Sequence, residues 1–399
     1  MLRPTWAEID LDNFCENIKA VASITSPSSG LLAVIKADGY GCGAVACALA
    51  ALTVPAVKGL AVATPEEALE LRDVGVPGMI LVLGPSTPEA ISELVKRDIS
   101  VTITDIRGAQ AMERAGLDAA RKSRLHLKVD TGMSRLGFRP GREIDEALAI
   151  LSRSSAIQLE GVYTHFAAAD EDEEYTRAQW ALYRDALNQL QAAGLQPRYR
   201  HVANSAAILW LPESHLDLVR PGIMLFGSFP GQKVPKKIQL KPVMSLKSRV
   251  AYMKRVPAGT NVGYGRAYTA SEDTAIATVP IGYADGYPRH LSNIAPVIIG
   301  GKKHRLAGRV CMDQIMVDTG QTSCQPGDEV ILIGEDGSER ITVDEIASLA
   351  GTIPHEILTR IGKRVPRTYR FRGKTYTSTG SLIEEFTRQR KGCLGLAQG

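Results

Sequence analysis

The stretch Leu31-Leu-Ala-Val-Ile-Lys36-Ala-Asp-Gly-Tyr40-Gly-Cys-Gly43 joins a short apolar run to one lysine and a glycine-rich turn. The run has no alternating polar face, which is typical of a strand buried in a parallel sheet. A lysine at the mouth of such a strand is partly desolvated, which lowers its pKa and favours a Schiff base with a carbonyl. The glycines let the backbone turn tightly or approach a ligand, often a phosphate.

The same stretch also has a plainer interpretation. Lys36 could cap the strand and extend its amine to water, with the glycines serving only the turn. The glycine spacing does not follow the G-x-G-x-x-G dinucleotide-binding pattern. The chemistry therefore has to be argued from the other segments of the chain.

The composition indicates a globular protein with room for two domains. The chain has 399 residues, of which 44% are hydrophobic and 23% are charged, enough for a large core. A net charge of +4 is small for this length, so no nucleic-acid partner is expected. No apolar run reaches membrane-spanning length, and the first residues lack the apolar core of a signal peptide, so no membrane association is expected.

Cysteine and histidine spacing favours a cytoplasmic location and gives no metal motif. The six cysteines form no C-x-x-C pair, so we interpret them as free thiols of a reducing cytoplasm. His355-Glu356 lacks the second histidine that a zinc-binding helix motif requires.

Short apolar runs alternate with helical patterns through the first half of the chain and a little beyond. Eight strands are predicted, at Leu31–Ile35, Gly59–Ala63, Met79–Leu83, Val101–Thr104, Arg124–Val129, Leu159–Thr164, Arg200–Ala203 and Leu216–Val219. Helices are predicted between them, for example at Thr64–Arg72, Thr87–Val95 and Glu173–Ala193. This order predicts an α/β fold, a parallel (β/α)8 TIM-type barrel over residues 1–235, with a doubly wound open sheet as the alternative.

The positions of polar residues favour the barrel. Four predicted strands are each followed by reactive or polar residues, namely Lys36, His165, Asn204 with Ser205, and Arg220 with Gly222. In such barrels the chemistry lies at the carboxyl ends of the strands. We therefore expect these side chains to share one face.

The pattern changes after a proline-rich and charged linker between Phe229 and Pro242. Strands are predicted at Ser245–Val256, Thr274–Pro280, Pro296–Ile299, His304–Val317 and Glu329–Ile333, with one clear helix at Thr342–Ala350. We predict a mainly β, mostly antiparallel C-terminal domain over residues 236–385. Residues 386–399 show no core-forming pattern and are predicted to be a loose tail.

Eight motifs follow one another along residues 3 to about 372. In the first half they are Ala33-Val-Ile-Lys-Ala-Asp-Gly-Tyr-Gly41, Lys128-Val-Asp-Thr-Gly-Met-Ser-Arg-Leu-Gly137, Val162-Tyr-Thr-His165, Asn204-Ser205 and Val219-Arg-Pro-Gly-Ile223. In the second half they are Val262-Gly-Tyr-Gly-Arg266, Pro280-Ile-Gly-Tyr-Ala-Asp-Gly-Tyr287 and Gly308-Arg-Val-Cys-Met-Asp313. With these motifs in this order the chain resembles the bacterial alanine racemases, fold-type III enzymes that use pyridoxal 5′-phosphate (PLP).

The resemblance implies a two-base racemisation of L- and D-alanine. Lys36 would hold PLP as a Schiff base and act as one base, and Tyr264 of the partner subunit would act as the other. Two bases on opposite faces of Cα allow one proton to be removed and another supplied, provided the phenol pKa is lowered from about 10. The family supplies D-alanine for peptidoglycan, and the shared site implies an obligate homodimer.

The resemblance also assigns partners to the cofactor ring. Arg220 would face the pyridine nitrogen, and because arginine stays protonated it can donate to that nitrogen but cannot readily protonate it. The ring then withdraws fewer electrons, which suppresses reprotonation at the wrong carbon. His165 would donate a hydrogen bond to Arg220 or stack near the ring, although a lone histidine is more often a core residue.

The remaining assignments concern phosphate and substrate. Phosphate ligands implied by the family are Tyr40, Ser205, Gly222 and Ile223, with Asn204 beside them. Substrate-side residues are Arg135, Met312, Asp313 and Tyr283. Lys128 matches a lysine that is often carbamylated, which would turn a cation into an anion able to orient Arg135.

One departure from the family concerns His355, where a tyrosine usually contacts the phosphate and narrows the entry. Histidine is shorter and can carry charge near neutral pH. We therefore hypothesise a wider entry and better turnover of serine or another small amino acid.

Two further protein classes remain as alternatives. Fold-type III amino-acid decarboxylases share this layout but place an acid opposite the pyridine nitrogen, so Arg220 argues against them. Small PLP-carrying proteins of cofactor homeostasis have a barrel but no second domain, so Tyr264 and Met312 argue against those.

Overall fold

The computed structural model of the chain describes residues 3–395, with side chains through residue 388. These residues form two compact units. The barrel unit contains Cys15–Gly39 and Cys47–Leu240, and the sheet unit contains residues 3–14, Tyr40–Ala46 and residues 241–395.

The barrel unit is built on eight parallel strands. In sheet order they are Tyr199–His201, Ile157–Tyr163, Ser123–Lys128, Ser100–Ile103, Met79–Val82, Val57–Val62, Gly30–Val34 and Leu218–Val219. The first and last are joined by hydrogen bonds from Arg220 N to Ala203 O (2.9 Å) and from Asp217 N to Arg200 O (3.1 Å). The predicted parallel barrel is confirmed, and all eight predicted strands are present.

Helices alternate with the barrel strands, and five of them begin at a side-chain N-cap. Their bounds are Leu11–Ile24, Ala44–Ala51, Pro65–Asp73, Pro88–Lys96, Ile106–Asp118, Arg142–Arg153, Glu173–Ala192 and Ser205–Trp210. Thr64 and Glu67 form a capping box, with Pro65 in the first turn, as the sequence at Thr64–Arg72 predicts.

The sheet unit contains an eleven-stranded, mainly antiparallel sheet within residues 3–395. Its strands are Trp6–Asp10, Met244–Arg249, Tyr252–Val256, Thr274–Val279, Pro296–Ile299, Lys302–Leu306, Ile315–Gly320, Glu329–Asp336, Glu339–Ile341, Arg367–Phe371 and Lys374–Tyr376. A separate two-stranded ribbon pairs Asn261–Val262 with Tyr268–Thr269. The mainly β character predicted for the second half is confirmed.

The N-terminal strand Trp6–Asp10 belongs to this sheet and not to the barrel. It pairs antiparallel with Met244–Arg249 and parallel with Arg367–Phe371. Its alternating burial marks a strand with one buried face, but nothing local in the sequence indicates which sheet receives it.

The sheet unit also carries three helices within the described residues, at Val343–Ala350, Pro354–Arg360 and Thr379–Gly395. The first matches the predicted helix, and the other two were not predicted. The helix Thr379–Gly395 overlaps the predicted loose tail. Its side chains Leu382 and Phe386 are buried. The Phe386 ring stacks on that of Phe371, with centroids 5.2 Å apart. Residues 396–399 of that tail lie outside the described residues.

Short 3-10 turns complete the chain, at Pro212–Ser214, Ile223–Phe226, Tyr264–Arg266, Tyr283–Asp285 and Arg289–Leu291. No helix in residues 3–395 is both long and apolar enough to cross a bilayer.

Gly41 gives a test of the close packing inside the sheet unit. Its φ is +78°, and a Cβ there would lie 2.3 Å from the carbonyl oxygen of Leu358. Gly75 has nearly the same φ, +79°, with nothing within 4 Å of its Cβ position. We expect Gly41→Ala to lower the free energy of unfolding well beyond the roughly 1–2 kcal/mol that backbone strain costs in Gly75→Ala. Denaturant titration measures both, and equal losses would contradict the packing argument.

Candidate active site

Lys36 lies two residues beyond the barrel strand Gly30–Val34, at its carboxyl end. Burial lowers the pKa of the Lys36 amine from its usual value, and the charge of Arg135 acts in the same direction, while Glu67 opposes both. A larger fraction of the amine is therefore neutral and nucleophilic than at a surface lysine.

The turn after Lys36 is left-handed. Ala37, Asp38 and Tyr40 have φ values of 52°, 53° and 52°, a conformation that costs about 1–2 kcal/mol for each residue with a Cβ. The Glu67 carboxylate holds this turn, because it accepts hydrogen bonds from the backbone N–H of Ala37 (2.5 Å) and of Ala63 (2.7 Å). Lys36 is thus tied to the end of the neighbouring strand.

Arg220 is buried at the end of the last barrel strand, with 4% of its surface exposed. Its guanidinium donates to the carbonyl oxygens of Thr164 (2.7 Å), His201 (2.8 Å) and Val202 (3.1 Å). Its centre lies 5.2 Å from the centroid of the Tyr163 ring. Burial lowers the pKa of Arg220 to about 10, so the group remains a cation at neutral pH.

His165 lies beside Arg220, but the direction of their hydrogen bond corrects the sequence expectation. The Nη2 of Arg220 is 3.2 Å from His165 Nδ1, and a guanidinium has donors only. His165 therefore accepts and does not donate. Burial and the neighbouring charge of Arg220 place the pKa of His165 well below its usual value, which keeps that nitrogen available as an acceptor.

Lys128 is a second buried amine. Its Nζ donates to the carbonyl oxygen of Val129 (2.7 Å) and lies 5.6 Å from the Tyr163 ring centroid. Burial first, and then the charge of Arg220, lower the pKa of Lys128 to about 7. Arg135, the residue that it was expected to orient, is exposed in this chain.

The expected phosphate-side residues of the barrel unit come together. Ser205 Oγ accepts a hydrogen bond from Gly222 N (3.0 Å), and Ile223 begins the adjoining 3-10 turn. Asn204 caps the helix Ser205–Trp210, since its side chain accepts from Ala207 N (3.0 Å). A buried hydroxyl and two neighbouring backbone N–H groups therefore lie at the end of the barrel that carries Arg220.

In the sheet unit, Tyr40 and His355 are neighbours, with ring centroids 5.9 Å apart and planes inclined by 46°. Burial raises the pKa of the Tyr40 phenol, so it is a neutral donor. The sequence analysis predicts Tyr40 on the phosphate and His355 where the family usually has a tyrosine, and both assignments stay predictions.

The other sheet-unit candidates lie on connected loops. Tyr283 N donates to the carbonyl oxygen of Cys311 (3.0 Å), and Ala284 N to that of Met312 (3.0 Å). A Cβ on Gly282 would lie 2.3 Å from both carbonyl oxygens, so only glycine permits this approach.

Asp313, next along the same loop, accepts a hydrogen bond from Arg364 Nη2 (2.7 Å). Tyr264, Met312 and Tyr283 expose 72%, 52% and 43% of their surfaces. These side chains are therefore presented outward from the chain.

The sequence analysis missed several polar residues of the barrel unit. Glu67 holds the turn of Lys36, while His126, Glu160 and His201 lie buried inside the barrel. For His126, Glu160 and His201 the available signal was their position within runs otherwise typical of buried strands, because ionisable residues are rarely buried without a partner.

This fold and site define a barrel protein that presents a reactive lysine and a buried arginine at the carboxyl ends of its strands. Residues 9–230 match the family "Alanine racemase, N-terminal domain", and residues 243–369 match "Alanine racemase, C-terminal domain". The chain belongs to the alanine racemase family.

Individual relatives agree with this membership. Alanine racemase of Desulforamulus reducens is 44% identical over 372 residues, which cover 92% of this chain and 100% of that protein. Alanine racemase of Carboxydothermus hydrogenoformans is 45% identical over 374 residues, with 92% and 100% covered. The solved structure of alanine racemase from Clostridium difficile 630 is 40% identical and superposes with a TM-score of 0.88 over 94% of this chain and 97% of that one.

The lowered pKa of Lys128 predicts a pH-dependent stability. Between about pH 7 and the usual value of 10.5, the unfolded chain binds a proton at this amine that the folded chain does not, so stability rises with pH. We expect the unfolding free energy of wild type minus that of Lys128→Met to grow by roughly 2–3 kcal/mol from about pH 7 to about pH 9 in carbonate-free buffer. Lys122→Met, at an exposed lysine, is the control. A difference that does not change with pH would contradict the assignment.

Proposed function

We propose that this protein is a racemase that interconverts L- and D-alanine with PLP held on Lys36. The observation that carries the proposal is a lysine amine of lowered pKa and a buried arginine cation at the carboxyl ends of strands in one barrel, in a chain of this family.

The residues of the barrel unit fit the cofactor chemically. A partly neutral amine at Lys36 is what attack on an aldehyde requires. Arg220 supplies a permanent donor suited to the pyridine nitrogen, and Ser205 with the N–H groups of Gly222 and Ile223 suits a phosphate. We propose Asn204 beside that phosphate, with Tyr40 and His355 as further phosphate ligands.

When bound, PLP withdraws electrons from the amino acid and makes its Cα–H acidic. Lys36 then holds or accepts a proton on one face of Cα, and Tyr264 does so on the other. Arg220 stays charged without giving up its proton, which limits electron withdrawal and favours return of the proton to Cα. Arg135, with Met312, Asp313 and Tyr283, would hold the substrate carboxylate and shape its pocket.

We further propose that each site is completed by a second copy of the chain. Tyr264, Met312 and Tyr283 are unusually exposed for large side chains, and exposed apolar groups can mark an interface. In this arrangement the partner's Tyr264 and the partner's Met312 would complete the site around Lys36, in a closed homodimer.

Subunit complementation tests the reaction and the shared site together. Lys36→Ala and Tyr264→Phe are each expected to lose nearly all alanine racemase activity and, for Lys36→Ala, the borohydride-reducible absorbance of bound PLP. Mixing the two variants forms hybrid dimers with one intact site, so about a quarter of the wild-type activity should return. Each variant mixed with itself is the control.

If Lys36 and Tyr264 of one chain served the same site, the mixture would stay inactive. A wild-type protein that binds no PLP or racemises no alanine would contradict the proposed function itself.

Lys128 is proposed to be carbamylated, because a buried amine with a pKa near 7 is partly neutral and able to react with carbon dioxide. The product would be an anion close to the cations Arg220 and Arg135. Because the carbamate forms only on the buried amine of the folded chain, added bicarbonate should raise the unfolding free energy of the wild type and leave that of Lys128→Met unchanged.

A second candidate activity is racemisation of serine or another small amino acid. The observation that favours it is His355, which packs against Tyr40 in place of a longer tyrosine. Decarboxylation is disfavoured because Arg220, and not an acid, would face the pyridine nitrogen.

The serine activity can be measured directly. We expect His355→Tyr to lower the ratio of serine to alanine kcat/KM by a fewfold, since a longer ring narrows the entry. Tyr376→Phe, which removes a hydroxyl in the strand Lys374–Tyr376, is the control. Equal ratios in wild type and His355→Tyr would discard the hypothesis.

The cellular role follows as part of the proposal. D-alanine made in a bacterial cytoplasm would supply peptidoglycan synthesis.

A further inference from the structure

A line of buried polar side chains runs from Arg220 into the interior of the barrel. Arg220 Nη1 lies 3.0 Å from His201 Nδ1, His201 Nε2 lies 2.9 Å from His126 Nδ1, and His126 Nε2 lies 3.2 Å from Glu160 Oε2. The two histidines are fully buried, and Arg220 and Glu160 each expose 4% of their surface. None of the three residues beyond Arg220 has a role in the function proposed above.

Arg220 at one end and Glu160 at the other fix the direction in which every hydrogen bond between them is donated. A guanidinium can only donate, so His201 Nδ1 must accept and the proton of the neutral ring must be on Nε2. Burial and the charge of Arg220 place the pKa of His201 well below its usual value, so the ring is neutral. His201 Nε2–H then donates to His126 Nδ1, and His126 Nε2–H donates to Glu160.

Glu160 ends the line as an anion. Burial by itself raises the pKa of the Glu160 carboxyl, but the hydrogen bonds from His126 and Ser100, with the charge of Arg124, lower it below the usual value. Arg124 Nη1 is 4.0 Å from Oε1, and its Nη2 is bound to Asp98 at 2.6 Å. Oε2 accepts from both Ser100 Oγ and His126 Nε2.

The plane of the His201 ring is held by a neighbouring aromatic ring. It stacks on Tyr163 at 4.7 Å with planes only 9° apart. The Tyr163 hydroxyl is itself bound to Thr102 Oγ1 (3.0 Å) and to the carbonyl oxygen of Leu83 (3.1 Å). Because the plane of the ring is held, the hydrogen bonds of His201 depend on which of its two nitrogens carries the proton.

We propose that Glu160 is a positioning residue for Arg220, acting through the tautomers of His126 and His201. Without a carboxylate acceptor, His126 can carry its proton on Nδ1, which obliges His201 to carry its own on Nδ1 as well. Two donors, His201 Nδ1–H and Arg220 Nη1–H, then face each other at 3.0 Å, and the guanidinium must shift. The consequence for catalysis rests on the proposed role of Arg220 at the pyridine nitrogen.

Histidine ¹⁵N NMR of the wild-type protein tests the tautomers directly, with and without added PLP. We expect both His201 and His126 to be neutral and protonated on Nε2. A His201 protonated on Nδ1 would overturn the proposal, and this measurement needs no variant to fold and no activity.

Three variants test the role of the carboxylate. Glu160→Gln should give mixed tautomers and a kcat lower by roughly ten- to a hundredfold with a smaller change in KM. Glu160→Asp keeps the charge and should restore the Nε2 tautomers and most of kcat. Glu213→Gln, which breaks only a surface pair with Arg177, should match wild type.

The two proposals fail separately. A protein that racemises nothing but shows the Nε2 tautomers contradicts the proposed function alone. A working racemase in which Glu160→Gln keeps both the tautomers and kcat contradicts the role of Glu160 alone.

Discussion

The burial of one positive charge, that of Arg220, is the constraint on which the barrel's chemistry depends. Removing a guanidinium from water costs several kcal/mol unless its donors are satisfied. Here the compensation comes from carbonyl oxygens of Thr164, His201 and Val202, which lie at the carboxyl ends of two other barrel strands. The charge is therefore fixed by backbone geometry, and it adds to burial in lowering the pKa values of His165 and Lys128.

Much of the barrel follows from local rules. Apolar runs without a polar face mark buried parallel strands, and the rule that chemistry lies at strand ends identified Lys36, His165, Ser205 and Arg220 as neighbours before any coordinates. In the structure His165 contacts Arg220, as expected. Ser205 accepts a hydrogen bond from Gly222, two residues beyond Arg220. Family resemblance, and not periodicity, supplied the roles assigned to Tyr264 and Met312.

What could not be predicted depends on contacts between distant parts of the chain. The left-handed turn at Ala37–Asp38 is not encoded by glycine at those positions and relies on Glu67, thirty residues away. The direction of the His165 hydrogen bond, by contrast, could have been predicted, because the sequence analysis already named Arg220 as the partner and a guanidinium has donors only. The helix Thr379–Gly395 owes its anchor to Phe371, so a pattern search within residues 386–399 alone could not find it.

The pairing of the strand Trp6–Asp10 has a consequence for how the protein is made. Its two neighbours, Met244–Arg249 and Arg367–Phe371, both follow the barrel strands in the chain. The strand Trp6–Asp10 must therefore stay without these two partners while the barrel strands between them are synthesised. Such long-range pairing slows folding and leaves an exposed edge, so a chaperone that covers this strand during synthesis would protect the chain from aggregation.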